Sequence, residues 1–465
     1  MMKHLILISF TFLLAGTALF TSSCKKKKGN SDGNLEFSVD TLVFDTVFTT
    51  LGSTTGQFKV YNPDNKKLTI QDIQLVGGAN SPFKLNFDGL QGHHFSELEI
   101  EGGDSLFCFV EVTLDPNNGT LPMIIEDSIR FRTNGQDQYV KLAAWGQDAY
   151  FHYNDINSGT WPNDKPHVIY GAARVSPGQT LNIPAGTDVY LHKLSFLYVN
   201  RGTLNVNGTA GEGNEVTFQG DRLEAAYDNV PGQYYGIYLD SARHSTISYA
   251  KIKNAIVGVH IESRDFSSPD TTLTIKNSEI WNCASYGILA FDRTKLNAEN
   301  TLIHSNGVHS LLVLQGAEFT FTHCDLLGYG TGEGTTPAVG IQNYYDGVAP
   351  LTAGEFNNCV IYGTNTEQLV FDTISVLGAT TSFHFRKCLI ATGVNTSNPI
   401  YIGCLFGTDP AFQDPQNDNF QRWSHTVLNN NGTSSPLYTL ANDILGITRD
   451  LPPANADIGV YNLPF

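Results

Sequence analysis

Gly236-Ile237-Tyr238-Leu239-Asp240, Gly258-Val259-His260-Ile261-Glu262, Gly287-Ile288-Leu289-Ala290-Phe291, Ser310-Leu311-Leu312-Val313-Leu314, Gly340-Ile341-Gln342-Asn343-Tyr344 and Gln368-Leu369-Val370-Phe371-Asp372 read as copies of one alternating strand. Their starts lie 22, 29, 23, 30 and 28 residues apart, a period that marks a solenoid of stacked units. A second strand in each unit carries a small residue two places before an apolar one. Ala250, Ser278, Thr301, Cys324, Cys359, Cys388 and Cys404 precede Ile252, Ile280, Ile303, Leu326, Ile361, Ile390 and Phe406 in this way. Rungs about 4.8 Å apart leave no room for tall side chains at an inward corner. The column therefore reads as a buried stack, and its cysteines as reduced and inert.

Composition points the same way. The chain has 465 residues, of which 44 are Gly and only three Met, with 16% charged and 41% hydrophobic residues. That is too long for one ordinary domain and too apolar for intrinsic disorder. The fold class is all-β. A net charge of −17 argues against nucleic acid as a partner. No CxxC or His-rich spacing suggests a metal site.

Upstream of the repeat, residues 35–147 carry short alternating strands such as Gly56–Tyr61 and Leu106–Val112, separated by turn signals such as Asn134-Gly135. This grammar fits a β-sandwich. The pattern Val60-Tyr61-Asn62, Val110-Glu111-Val112, Phe131 and Asn134-Gly135 resembles immunoglobulin-like domains related to the Hydin and spindle-protein family. That resemblance implies a spacer or interaction module. Residues 148–166 form an aromatic connector or cap. Trp161 within it is read as a plug for the open end of the solenoid, or else as a sugar-stacking platform.

The N terminus reads as an address. Lys3 and His4 precede an apolar run to Phe20, and Thr21-Ser22-Ser23 leads into Cys24. This resembles the lipobox of bacterial lipoproteins, with Thr21 where leucine is usual. It implies a signal peptide over 1–23, lipidation at Cys24 and a tether over 24–34 containing Lys25 to Lys28. The expected location is the cell envelope of a Gram-negative bacterium, as an outer-membrane lipoprotein, with the membrane as partner through Cys24. Seven Asp-Ser/Thr motifs, among them Asp40-Thr41-Leu42, Asp240-Ser241-Ala242 and Asp372-Thr373-Ile374, resemble an O-glycosylation acceptor of some exported Gram-negative proteins.

Residues 167–406 resemble the right-handed parallel β-helix of the pectate-lyase-like superfamily, opening with Pro177-Gly178 and Ile183-Pro184-Ala185-Gly186-Thr187. Residues 407–465, with Asp409-Pro410-Ala411-Phe412 and Asp457-Ile458-Gly459, resemble the C-terminal cap of secreted β-helix proteins. In such enzymes substrate lies across the outside of the first sheet. Strand alternation turns Tyr238, His260, Leu289, Leu312, Gln342 and Val370 outward, beside Asp240, Glu262, Phe291, Leu314, Tyr344 and Asp372. Asp240, Glu262 and His260 are thus the candidate catalytic residues, and Tyr238, Arg243, Arg264 and Trp161 the candidate binding residues. Paired carboxylates suit acid–base work, or a shared Ca2+ ion under a lyase reading alone; no other cofactor is expected. The same carboxylates also read as a solvated edge. The apolar patch of Phe291, Leu314 and Tyr344 is expected to seat the Gly-rich insertion Gly328 to Pro337. The family's polygalacturonase motifs are missing. The leading expectation is a lipid-anchored binding surface for glycan or another envelope component. The alternatives are a lyase or hydrolase of acidic polysaccharide, and a structural spacer or adhesin.

Overall fold

The computed structural model describes residues 31–49, 52–116, 123–263, 271–330, 336–375, 382–423, 425–449 and 454–462. The chain divides into two compact units, Met1–Asp148 and Ala149–Phe465. Cys24, the signal peptide and Arg264 lie outside the described residues. Among the described residues there is no α-helix.

The first unit is a sandwich of two five-stranded sheets. Gly56–Tyr61, Ser105–Val112 and Phe83–Phe87 form the centre of one; Gln136–Gln147, Met123–Thr133 and Leu68–Leu75 form the centre of the other. Alternation sends Phe58, Val60 and Phe83 from one sheet, and Ile70, Ile73 and Phe131 from the other, into a single core. The Phe131 ring meets Phe37 at 4.9 Å, Phe87 at 6.0 Å and Phe58 at 6.3 Å across that core.

The second unit is a solenoid of three parallel sheets with eleven, nine and ten strands. Each strand pairs in register with its equivalent one rung on. The inward row Ile237, Val259, Ile288, Leu311 and Val339 is fully buried. The first rung begins earlier than the expected 167. Tyr150–His152, Asp155–Ile156 and Gly159–Thr160 already pair with the next rung, so most of the connector belongs to the helix.

The small-residue column has two physical causes. Beyond size, three of these residues accept a hydrogen bond from the backbone of the preceding rung. Ser278 Oγ takes the Ala250 N–H at 3.0 Å; Cys359 Sγ takes that of Cys324, and Cys388 Sγ that of Cys359, each at 3.4 Å. All six described cysteines are free, and only Cys404 is less than fully buried. Cys404 sits in a genuine last rung, where Leu405–Phe406 pairs with Leu389–Ile390.

One expected register is corrected. Leu312 stands beside Gly340, not Gln342, and Gln342 stands beside Asp372, so Gln342 and Tyr344 each lie two residues off their expected places. The glycine that opens the neighbouring strands occupies a crowded slot. A Cβ at Gly287 would lie 2.7 Å from Ser310 O and 2.4 Å from Ile303 Cγ2. In the next rungs that slot is filled by Ser310 and Ala338, and Gly340 merely imitates it two residues later.

The tail is also placed differently from an end cap. Phe412, Phe420, Leu428, Ile458 and Val460 pack on Leu302, Leu327, Val360 and Leu389, the outer side of the eleven-stranded sheet. Apart from Asp325, that strip is apolar on its outer face as well, so the outer face requires a cover. Polar anchors fix it: fully buried Arg422 lies 3.8 Å from Asp325, and Arg449 donates to Asn300 Oδ1 at 2.9 Å.

Candidate functional site

The outer face of the nine-stranded sheet brings two columns of side chains together. Arg174, Tyr198, Tyr238, His260 and Leu289 stand in register on successive strands, and Asn200, Asp240, Glu262 and Phe291 form the column beside them. In-register stacking puts like positions one strand spacing apart, so planar rings pile on one another. Tyr198 and Tyr238 are 5.2 Å apart, and Tyr238 and His260 4.4 Å apart with planes only 5° from parallel. Arg174 closes the pile, its guanidinium 5.6 Å from the Tyr198 ring centre.

The carboxylates hold the tyrosines. Asp240 Oδ2 accepts from Tyr198 at 2.6 Å and from Asn200 at 3.0 Å, while its Oδ1 accepts from Ser241 at 3.0 Å. The Tyr238 hydroxyl donates to Glu262 Oε1. Tyr235 bonds His260 Nδ1 at 2.8 Å, and His260 Nε2 lies 3.8 Å from Glu262 Oε2. Glu262 is only 4% exposed.

Burial, then hydrogen bonding to Asp240, pushes the Tyr198 phenol up to about 12. Burial and the Glu262 carboxylate raise Tyr238 further, and burial with Glu262 raises Tyr235. At neutral pH these phenols therefore keep their protons and are not bases.

The structure thus joins His260 to Glu262 but turns the Asp240 carboxylate to the preceding rung. Arg243 is exposed in the turn after Asp240. Trp161 is only 7% exposed. It covers a coplanar, hydrogen-bonded pair, His152 and His167, at 4.3 and 4.2 Å. This burial fits the plug and leaves little ring surface for a sugar. Among the described residues no group of three or more His, Cys, Asp or Glu is placed to hold a metal.

Tyr198, Asn200 and Arg174 were not singled out from sequence, although alternation in Leu197-Tyr198-Val199 turns Tyr198 outward. Tyr235 precedes its strand and gave no periodic signal. Phe291 and Leu314 form a small buried outer cluster with Leu312. Tyr345 meets Phe291 edge-on at 5.6 Å. The described ends of the insertion run elsewhere: Thr336 bonds Val308 O at 2.7 Å and Pro337 O bonds His309.

No curated protein matches the chain. Among solved structures, a family 123 glycoside hydrolase from Clostridium perfringens shares 10% identity at TM-score 0.18, covering 25% of this chain and 26% of its own. The chain therefore spans about a quarter of that enzyme's length. An ASH/PapD-like domain of human CEP192 shares 9% at TM-score 0.17, covering 24% and 84%. A Porphyromonas gingivalis protein of unknown function shares 11% at TM-score 0.19, covering 28% and 60%. The match that agrees with the solenoid is to a family model: residues 258–406 fit the right-handed beta helix region.

Proposed function

We propose that this chain is a lipid-anchored cell-envelope protein that presents the outer face of its nine-stranded sheet as a rigid binding surface for glycan. The observation that carries the reading is the pile of Arg174, Tyr198, Tyr238 and His260, locked by Asp240 and Glu262. Preorganised aromatic edges and hydroxyls bind without a large ordering cost. The anchor would be Cys24, and the immunoglobulin-like sandwich would serve as spacer or interaction module.

Binding is favoured over catalysis by the state of the two carboxylates. Asp240 accepts three hydrogen bonds from neutral groups, and Glu262 is nearly closed to solvent. A lyase or hydrolase needs a carboxylate or phenol free to exchange protons with substrate. An array of envelope and plant polysaccharides, read for binding and for release of reducing or unsaturated sugars, separates the readings. Binding without turnover, reduced by Tyr198→Ala, is expected. Turnover abolished by Glu262→Gln would select the enzyme, and silence in both assays the spacer.

A further inference from the structure

The two ends of the solenoid are finished differently. At the N-terminal end Trp161 lies over the last apolar layer. At the other end the ten- and eleven-stranded sheets each gain one more strand, Tyr401–Ile402 and Leu405–Phe406, while the nine-stranded sheet stops at Leu369–Asp372. The final rung thus lacks its third strand. A cavity of about 540 Å³ occupies that place, a size typical of small-ligand sites.

Its chemistry is specific. Phe371, Phe383 and Tyr401 supply ring surface, while Thr373, Asn395 and Asn398 supply polar groups. No described lining residue is Asp, Glu, Lys, Arg or His. Some polar groups are already used: Asn343 exchanges two bonds with Ile374, and Thr392 donates to Glu367. The Tyr401 hydroxyl and the Asn395 amide make no hydrogen bond among the described residues, and so keep donors and acceptors for a ligand.

We propose that this cavity is a binding site for an uncharged sugar of one or two rings. A pyranose has an apolar C–H face for the aromatic rings and hydroxyls or an acetamido group for amide and phenol. An anionic sugar would meet no cation in the lining and would stand near the Glu367 carboxylate that holds Thr392. The site opens to solvent at the end of the solenoid, apart from the outer sheet face, and does not rest on that reading.

The test is calorimetry and saturation-transfer NMR on the full chain, with N-acetylglucosamine and glucose as neutral probes and glucuronate as the anionic one. A neutral probe is expected to bind at least about tenfold more tightly than glucuronate. Tyr401→Phe and Asn395→Gly, the second chosen because Asn395 has φ 54°, should each weaken it about two- to tenfold, the loss of one hydrogen bond. Unchanged thermal melts of these variants would show that the fold survives. Equal binding of glucuronate, undiminished binding in both variants, or no binding of either neutral probe would overturn the proposal.

Discussion

The ring of Tyr238 lies 4.4 Å from the ring of His260, one rung away and 5° from parallel. The same tyrosine donates its hydroxyl to Glu262 beside that histidine. Stacking and hydrogen bonding are separable here. Tyr238→Phe keeps the ring and removes a donor from a carboxylate that is 4% exposed. The variant should lose about 1–3 kcal/mol of stability in urea unfolding while keeping a native circular dichroism spectrum. An unchanged midpoint would show that the hydroxyl holds nothing.

Cys359 offers a second separation. Its sulfur accepts the Cys324 N–H at 3.4 Å, and the residue is fully buried. Cys359→Ser should be tolerated best, because it keeps a small acceptor. Cys359→Leu should cost about 1–3 kcal/mol through overpacking. In the native protein a thiol reagent should label Cys404 well before Cys324, Cys359 or Cys388, which are sealed inside the rungs. Equal labelling rates without denaturant would contradict the buried column.

Acid should loosen the N-terminal end. His167 Nε2 lies 2.7 Å from the Pro162 carbonyl, so it carries the proton, and His167 Nδ1 must accept from His152 Nε2 at 2.8 Å. Both rings are thus held neutral, and burial lowers each from 6.5 to about 4. Between those values the unfolded chain binds more protons than the folded one. The stabilisation is therefore complete above pH 6.5 and is lost as pH falls toward 4. His304, raised between Glu279 and Asp418, works in the opposite sense, so the reading must be local. Trp161 emission, taken as the difference from Trp161→Phe, should change through this window, and His167→Gln should flatten the change.

Modification, if the Asp-Ser/Thr motifs are acceptors, should follow exposure. Thr41 and Thr373 are exposed, whereas Ser241 is 4% exposed and donates its hydroxyl to Asp240. Peptide mass mapping of the protein from its native host should find sugar on Thr41 and Thr373 and none on Ser241. An intact mass equal to the lipidated chain alone would remove the idea. Cys24→Ala should leave the membrane fraction.

Much of this architecture could be read from residues 236–406. A stacked solenoid repeats one environment, so alternation and a small-residue column report the same constraint several times over. The tertiary structure decided what repetition does not encode. Ala338 fills a slot that sequence assigned to Gly340, because the slot selects for size and not for glycine. The tail lies on Leu302, Leu327, Val360 and Leu389, since only the folded sheet reveals that its outer face there is apolar too. At the site, sequence placed Asp240, Glu262 and His260 on neighbouring rungs. Which groups they bond depended on Tyr198, Tyr238 and Tyr235, and Tyr235 precedes its strand, outside the alternation.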